Sequence, residues 1–304
     1  MHEYEYIPSK TGTCKLCVYL WDAPQPKAVL QIVHGMAEHM GRYGCLGEYL
    51  SGSGIAVIGH DIAGHGRSIG PEGLKGYFGP GDGWGGILAD IDQVADAAAR
   101  RWPGVPRILM GHSMGSFLVE CHMARKGGAA AYILSGTAGK NPALPFGRMI
   151  ARAQIALGRG RRPSMLLNTL SFGAYNTPFK PARTPFDWLS RDEAEVDKYM
   201  AGELCGFAFT AEAFCQLFGG MGEIAGRDWP ERTEDKPILI ISGDRDPVGG
   251  MGKGVYEIAG RLEKAGRQVE LRLYPGGRHE LLNGPDRELF CRDIREFILR
   301  QVRI

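Results

Sequence analysis

The chain has 304 residues, 44% hydrophobic and 23% charged, a balance that suits a packed globular protein and excludes wholesale disorder. Its 36 Lys and Arg nearly cancel 34 Asp and Glu, which excludes the strong basic excess of a dedicated nucleic-acid binder. No uncharged apolar run approaches the ~18 residues that span a bilayer. The first ten residues lack the basic and apolar regions of a secretory signal, and seven scattered cysteines make no disulfide framework. A cytoplasmic location is therefore expected.

In chain order, residues 3–7 and 14–20 alternate apolar with polar side chains around Pro8 and Gly12, the pattern of an antiparallel hairpin. Residues 30–34 and 55–58 are nearly continuous apolar runs, as expected of central strands covered on both faces. Residues 84–102 place Ile87, Ile91, Val94 and Ala98 at helical steps before Pro103 ends the helix. Further apolar strands follow at 107–110, 132–134 and 238–241. Residues 253–265 and 286–301 read as helices, the latter with Leu289, Ile294, Phe297 and Ile298 on one side. Between them residues 269–274 alternate, as a strand near a sheet edge does. The strand–helix alternation predicts an α/β fold with an eight-stranded, mostly parallel sheet and helices on both faces. It breaks over residues 138–235, which hold no convincing strand and are too long for a loop. The expected organisation is a core at 1–137 and 236–304, with a helical insertion at 138–235 after the sixth strand.

The strand at 107–110 runs into Gly111, His112, Ser113, Met114 and Gly115, and a helical pattern follows. This is G-x-S-x-G in a strand–turn–helix setting, a tight turn that lifts the serine above the sheet. A serine hydroxyl becomes a competent nucleophile only when a base takes its proton. His279, just beyond the last strand, sits at the carboxyl edge of the sheet where sites gather. A carboxylate must then hold the imidazole. The strand at 238–241 ends in SGDRDPV, which offers Asp244 and Asp246. Asp246 is preferred, because Asp244 is closer to the strand end and better placed to cap the loop or hold an arginine. The oxyanion donors are the backbone N–H groups of Met114 and of Met36, the latter reached through Gly35 after the third strand. His34 is given an orienting or structural role.

HGMAEH at 34–39 with Arg42 and Tyr43, GHDIAGHGRS at 59–68, GHSMG at 111–115, SGDRDPV at 242–248 and GRHE at 277–280 occur in this order. Together they resemble the monoacylglycerol lipase and lysophospholipase group of α/β-hydrolases, and the related serine aminopeptidases. The resemblance covers the core, roughly residues 1–136 and 236–304. It implies Ser113, Asp246 and His279 as a catalytic triad, with Met36 and Met114 as oxyanion donors and no cofactor. One departure is Ala37, where the group's H-G-x-G-E-H pattern has glycine. Residues 138–235 correspond to the group's cap by position only.

Several other signals compete with this reading. Cys14 and Cys17 are spaced like half of a zinc or redox motif but fall on a predicted strand and are read as packing residues. His34, Glu38 and His39 miss the spacing of a metal motif. Gly81, Gly83 and Gly86 fit G-x-G-x-x-G without a preceding strand and are read as a loop. From 137 to 186 there is no Asp or Glu but there are Lys140, Arg148, Arg152, Arg159, Arg161, Arg162, Lys180 and Arg183, interleaved with apolar residues. Either this half of the insertion touches an anionic membrane surface, or its cations pair with the acidic half after residue 186. The sequence thus points to hydrolysis of a small acyl ester or lipid, monoacylglycerols or lysophospholipids foremost. A peptidase would need a carboxylate for the substrate amine, from Glu193, Glu195 or Glu203. A non-catalytic receptor on the same fold is the rival from another class.

Overall fold

The computed structural model of the chain describes residues 3–302. Eight strands form one sheet: β1 (Glu3–Pro8), β2 (Lys15–Trp21), β3 (Ala28–Val33), β4 (Ile55–His60), β5 (Arg107–His112), β6 (Ala131–Ser135), β7 (Ile238–Gly243) and β8 (Val269–Tyr274). Their spatial order is β1-β2-β4-β3-β5-β6-β7-β8, with β2 antiparallel to both neighbours and every other pairing parallel. The opening hairpin and the edge position of β8 are as the alternation predicts.

The helices are α1 (Gly44–Ser51), α2 (Gly83–Arg101), α3 (Met114–Arg125), α4 (Leu144–Gln154), α5 (Met165–Phe172), α6 (Glu193–Ala201), α7 (Ala211–Ile224), α8 (Trp229–Arg232), α9 (Lys253–Lys264) and α10 (Arg287–Gln301). The apolar runs are continuous because both sheet faces are covered. Leu109 and Ile240 pack with Ile87 of α2, Leu118 of α3 and Ile258 of α9. Their strand neighbours Met110 and Ile241 point the other way, onto Leu46 of α1 and Phe297 of α10.

Two local expectations are corrected. On α10 the buried stripe is Phe290, Ile294, Phe297 and Ile298, and Leu289 is 38% exposed. A helix turns about 100° per residue, so Phe290 takes the inward place that Leu289 was assigned. Gly83 and Gly86 lie inside α2 rather than in a loop, because Asp82 caps that helix by accepting from the Gly85 N–H at 2.9 Å. Cys17 is buried in β2 and Cys14 precedes that strand; all seven cysteines are free.

Between β6 and β7 the chain forms α4 to α8. Asp192 and Thr210 start α6 and α7 as side-chain caps. Phe214 and Leu217 of α7 and Trp229 of α8 share the apolar cluster of α2 and α3, and the Trp229 indole N–H donates to the Glu120 carbonyl at 3.0 Å. α4 and α5 instead lie out on the surface, with Phe146, Met149, Leu157, Met165, Leu166 and Leu170 between 54% and 75% exposed on and between them.

Candidate active site

The carboxyl ends of β3, β5, β7 and β8 come together because these strands are parallel, and each carries one of the sequence-selected residues there. Ser113 stands between β5 and α3 with φ 53° and ψ −122°, outside the ordinary regions for a side-chain-bearing residue. The turn is held by the Ser113 N–H, which donates to the Ser135 carbonyl at 2.9 Å, and by the Ser116 N–H donating to the Ser113 carbonyl at 2.8 Å. The flanking glycines are obligatory here. A Cβ on Gly115 would run into the carbonyls of Val33 and His34, and one on Gly111 into the Gly115 backbone.

Asp246 and His279 meet directly. Asp246 is fully buried in the loop after β7, and its Oδ2 lies 2.8 Å from His279 Nδ1. Its Oδ1 accepts the Val248 N–H at 2.8 Å, which fixes the carboxylate. Burial opposes protonation of His279, but the Asp246 charge and hydrogen bond outweigh it and hold the imidazole above the ordinary histidine value. With Nδ1 facing the carboxylate, Nε2 is the nitrogen free to take a proton. Asp244 accepts the Gly276 N–H at 2.7 Å, which ties the loop after β7 to the loop after β8.

Ser113 and His279 line the same cavity of about 850 Å³, and among the described residues the Ser113 hydroxyl makes no hydrogen bond. Such serine–histidine hydrogen bonds are often long or poorly aligned until ligand binds. Met36 lines this cavity beside Met114, the first residue of α3. Neither amide N–H has an acceptor among the described residues. The positive end of the α3 dipole adds to the preference for a negative atom there.

Burial keeps His34 and His112, beside the site, neutral. His34 is fully buried, its Nδ1 2.8 Å from the Gly35 carbonyl and its Nε2 accepting the Ile62 N–H at 2.9 Å. Burial and the nearby His65 hold its pKa well below the usual value. His112, beside the nucleophile turn, is pushed down to about 4 by burial and by His279, whose ring centroid is 4.9 Å away.

Three features were not assigned from the sequence. Glu38, Arg42 and Glu280 form a buried ionic cluster: Arg42 donates to Glu38 at 2.8 Å and grips both oxygens of Glu280 at 2.6 Å. Glu38 also accepts the Gly35 N–H at 2.6 Å and the Tyr43 hydroxyl at 2.8 Å, so one carboxylate ties the Met36 loop to the loop of His279. Burial works against its charge, yet Arg42 holds the Glu38 carboxyl below the ordinary glutamate range. Trp188 packs its ring 5.2 Å from that of His279, and the Leu189 carbonyl accepts the Glu280 N–H at 2.7 Å. Tyr199 of α6 donates its hydroxyl to the Ala37 carbonyl at 3.0 Å. The motif residues Glu38, Arg42 and Glu280 were visible in the sequence, but their mutual contact was not.

The carboxylates proposed for an amine site lie elsewhere. Glu193 faces Arg183 at the surface, Glu195 pairs with Lys198 at 2.8 Å, and none of Glu193, Glu195 and Glu203 lines the cavity. The acidic residues that do line it are Glu38, Glu280 and Glu257; Arg42 holds the first two, and Glu257 accepts the Lys140 N–H at 3.0 Å. Among the described residues no group of His, Cys, Asp and Glu is placed to hold a metal ion.

The chain matches, over residues 24–286, the model of the family described as serine aminopeptidase, S33. It is 29% identical over 307 residues to the monoacylglycerol lipase of Mycolicibacterium smegmatis, spanning 97% of this chain and 96% of that one. It is 28% identical over 282 residues to human monoglyceride lipase, spanning 91% and 83%. Among solved structures, a thermostable carboxyl esterase from Bacillus coagulans in complex with glycerol aligns at a TM-score of 0.94 and 27% identity over 99% of both chains.

Proposed function

The chain belongs to the serine aminopeptidase S33 family and is a lipase/esterase-type hydrolase of the α/β-hydrolase fold, and on that premise we propose that it hydrolyses monoacylglycerols through an acyl-enzyme on Ser113. The observation that carries this reading is the shared cavity: Ser113, His279, Met36 and Met114 line it together with Leu144, Leu167, Phe172 and Phe207. Its size lies in the usual range of about 300–1,000 Å³ for small-molecule sites. Relatives named for monoacylglycerol cleavage align over nearly the whole chain.

The Ser113 oxygen attacks the ester carbon while its proton passes to His279 Nε2, and Asp246 stabilises the imidazolium formed. The carbonyl oxygen becomes an oxyanion on the N–H groups of Met36 and Met114. Collapse breaks the C–O bond to the alcohol, which leaves with the proton from His279. Water then repeats the sequence on the acyl-enzyme, releasing the fatty acid and restoring Ser113. Residues 138–235 serve as the cap over this cavity and supply its acyl-binding wall.

A hydrolysis panel tests the assignment: nitrophenyl esters from short to long chain, a monoacylglycerol, a lysophospholipid and an aminoacyl-nitroanilide. The monoacylglycerol is expected to give the highest kcat/KM, and cleavage of the anilide alone would move the chain to the peptidases. His279 must be neutral to act, and its partner Asp246 raises its pKa. Activity on the preferred ester is therefore expected to fall on acidification with an apparent pKa above ~6.5. A limb centred well below that value would contradict the pairing.

The cap also meets a lipid surface. Phe146 and Leu170 line the cavity and are more than half exposed, so they form its rim within the wider exposed apolar patch. Among the described residues, the alternative, that the basic half of the insertion pairs with its acidic half, holds only for Arg183. Arg161 pairs with Glu72 of the core, and among the described residues Arg148, Arg152, Arg159 and Arg162 have no carboxylate partner. Apolar residues beside unpaired cations favour an anionic interface. Co-sedimentation with phosphatidylglycerol vesicles is expected, and not with phosphatidylcholine alone. Arg148→Glu with Arg152→Glu should weaken it at least about 30-fold, from about 1 kcal/mol per basic residue. Equal binding by that variant would discard the surface.

A further inference from the structure

The Met36 N–H belongs to the peptide whose carbonyl is that of Gly35, so whatever fixes this peptide aims the oxyanion donor. On one side the Gly35 carbonyl is held by His34 Nδ1 at 2.8 Å. On the other side the chain turns through Ala37, which has φ +52°. That is left-handed backbone, readily adopted by glycine and disfavoured for alanine. The carbonyl of the same Ala37 accepts two hydrogen bonds, both from the insertion: the Tyr199 hydroxyl at 3.0 Å and the Gly206 N–H at 3.0 Å. The Tyr199 ring is itself fixed, lying under the Arg42 guanidinium at 5.0 Å and edge-on to Phe186 at 5.2 Å.

We propose that Tyr199 is a positioning residue, through which the insertion holds Ala37 in its strained turn and so keeps the Met36 N–H aimed at the oxyanion. Without the Tyr199 hydroxyl only the Gly206 N–H holds that carbonyl, and the alanine shifts toward negative φ and draws the donor out of line. The oxyanion hole is therefore complete only when α6 is seated on the core, and alanine at position 37 is what creates the dependence. A glycine there would adopt the turn without strain, so the turn would depend less on Tyr199. This inference rests on the ester-hydrolase reading of the site.

The test is a double-mutant cycle between Tyr199→Phe and Ala37→Gly, with melting curves for every variant. Tyr199→Phe keeps the ring and its packing and removes only the donor. It is expected to lower kcat on the preferred ester about 5- to 10-fold, the size of one lost hydrogen bond, with KM changed less than about twofold. Affinity for a trifluoromethyl ketone inhibitor, whose tetrahedral adduct places an oxyanion on the same donors, should fall by a matching factor. In the Ala37→Gly background the same Tyr199→Phe change should cost less than about twofold. An equal loss in both backgrounds, a loss confined to KM, or no loss at all would overturn the proposal. A wild type that cleaves no ester would instead count against the hydrolase reading.

Discussion

Ser113→Ala is expected to lower kcat on the preferred ester by at least about 10³-fold, with no change in melting temperature. The two halves of this expectation have separate causes. The serine oxygen is the atom that forms the covalent bond, and His279 cannot act on a methyl group. The oxyanion donors and the cavity survive the change, so a residual rate above that of water remains. Stability is untouched because the Ser113 hydroxyl makes no hydrogen bond among the described residues and alanine meets the same backbone strain at φ 53°. Retention of a tenth or more of the wild-type rate would place the nucleophile elsewhere.

Arg42→Met is expected to be the most destabilising single change near the site, by about 3–5 kcal/mol. The guanidinium is 10% exposed between Glu38 at 4% and Glu280 at 6%, so removing it strands two buried carboxylates against each other. For a chain of 304 residues that corresponds to a fall in melting temperature of roughly 5–8 °C. The pH dependence has a definite sign. In the wild type Arg42 depresses the Glu38 pKa, so this stabilisation is present above the ordinary glutamate value and is lost as pH falls through the folded value. In the variant the like charge of Glu280 replaces the cation and raises the Glu38 pKa, so protonation relieves the penalty. The gap between wild type and variant should therefore narrow from pH 8 to pH 5. Arg42→Lys keeps the charge without the two-pronged grip and should fall between them. Calorimetric melts of the three proteins at both pH values decide the matter; coincident melting curves would contradict it.

The sheet was legible because parallel strands buried on both faces must be apolar throughout, as at Ile238 to Ile241, and because glycine and proline mark their ends. Ser113, Asp246 and His279 were singled out for a related reason: each follows a recognisable strand at the carboxyl edge, so topology alone predicts one neighbourhood. The structure draws Asp246 to His279, and His279 and Ser113 line the same cavity. What escaped is what depends on contacts across long stretches of chain. Arg42 meets Glu280 across 238 residues and Tyr199 meets Ala37 across 162, and neither pair leaves a local pattern. Leu289 was misplaced for a smaller reason, since the helical period in α10 allows a neighbouring residue to take the inward position. In the insertion, α5 has eight residues and α6 nine, too few for periodicity to outline a face, and the exposed apolar patch on α4 and α5 hides the usual contrast between inside and outside.

The most direct measurement is covalent labelling with a fluorophosphonate, read by intact mass and by peptide mapping. One adduct per chain on Ser113, formed faster as pH rises through the His279 titration and slowed by Asp246→Asn, is the result expected of a histidine-activated serine. Ester cleavage without any adduct on Ser113, or an adduct on another residue, would contradict the site assigned to this chain.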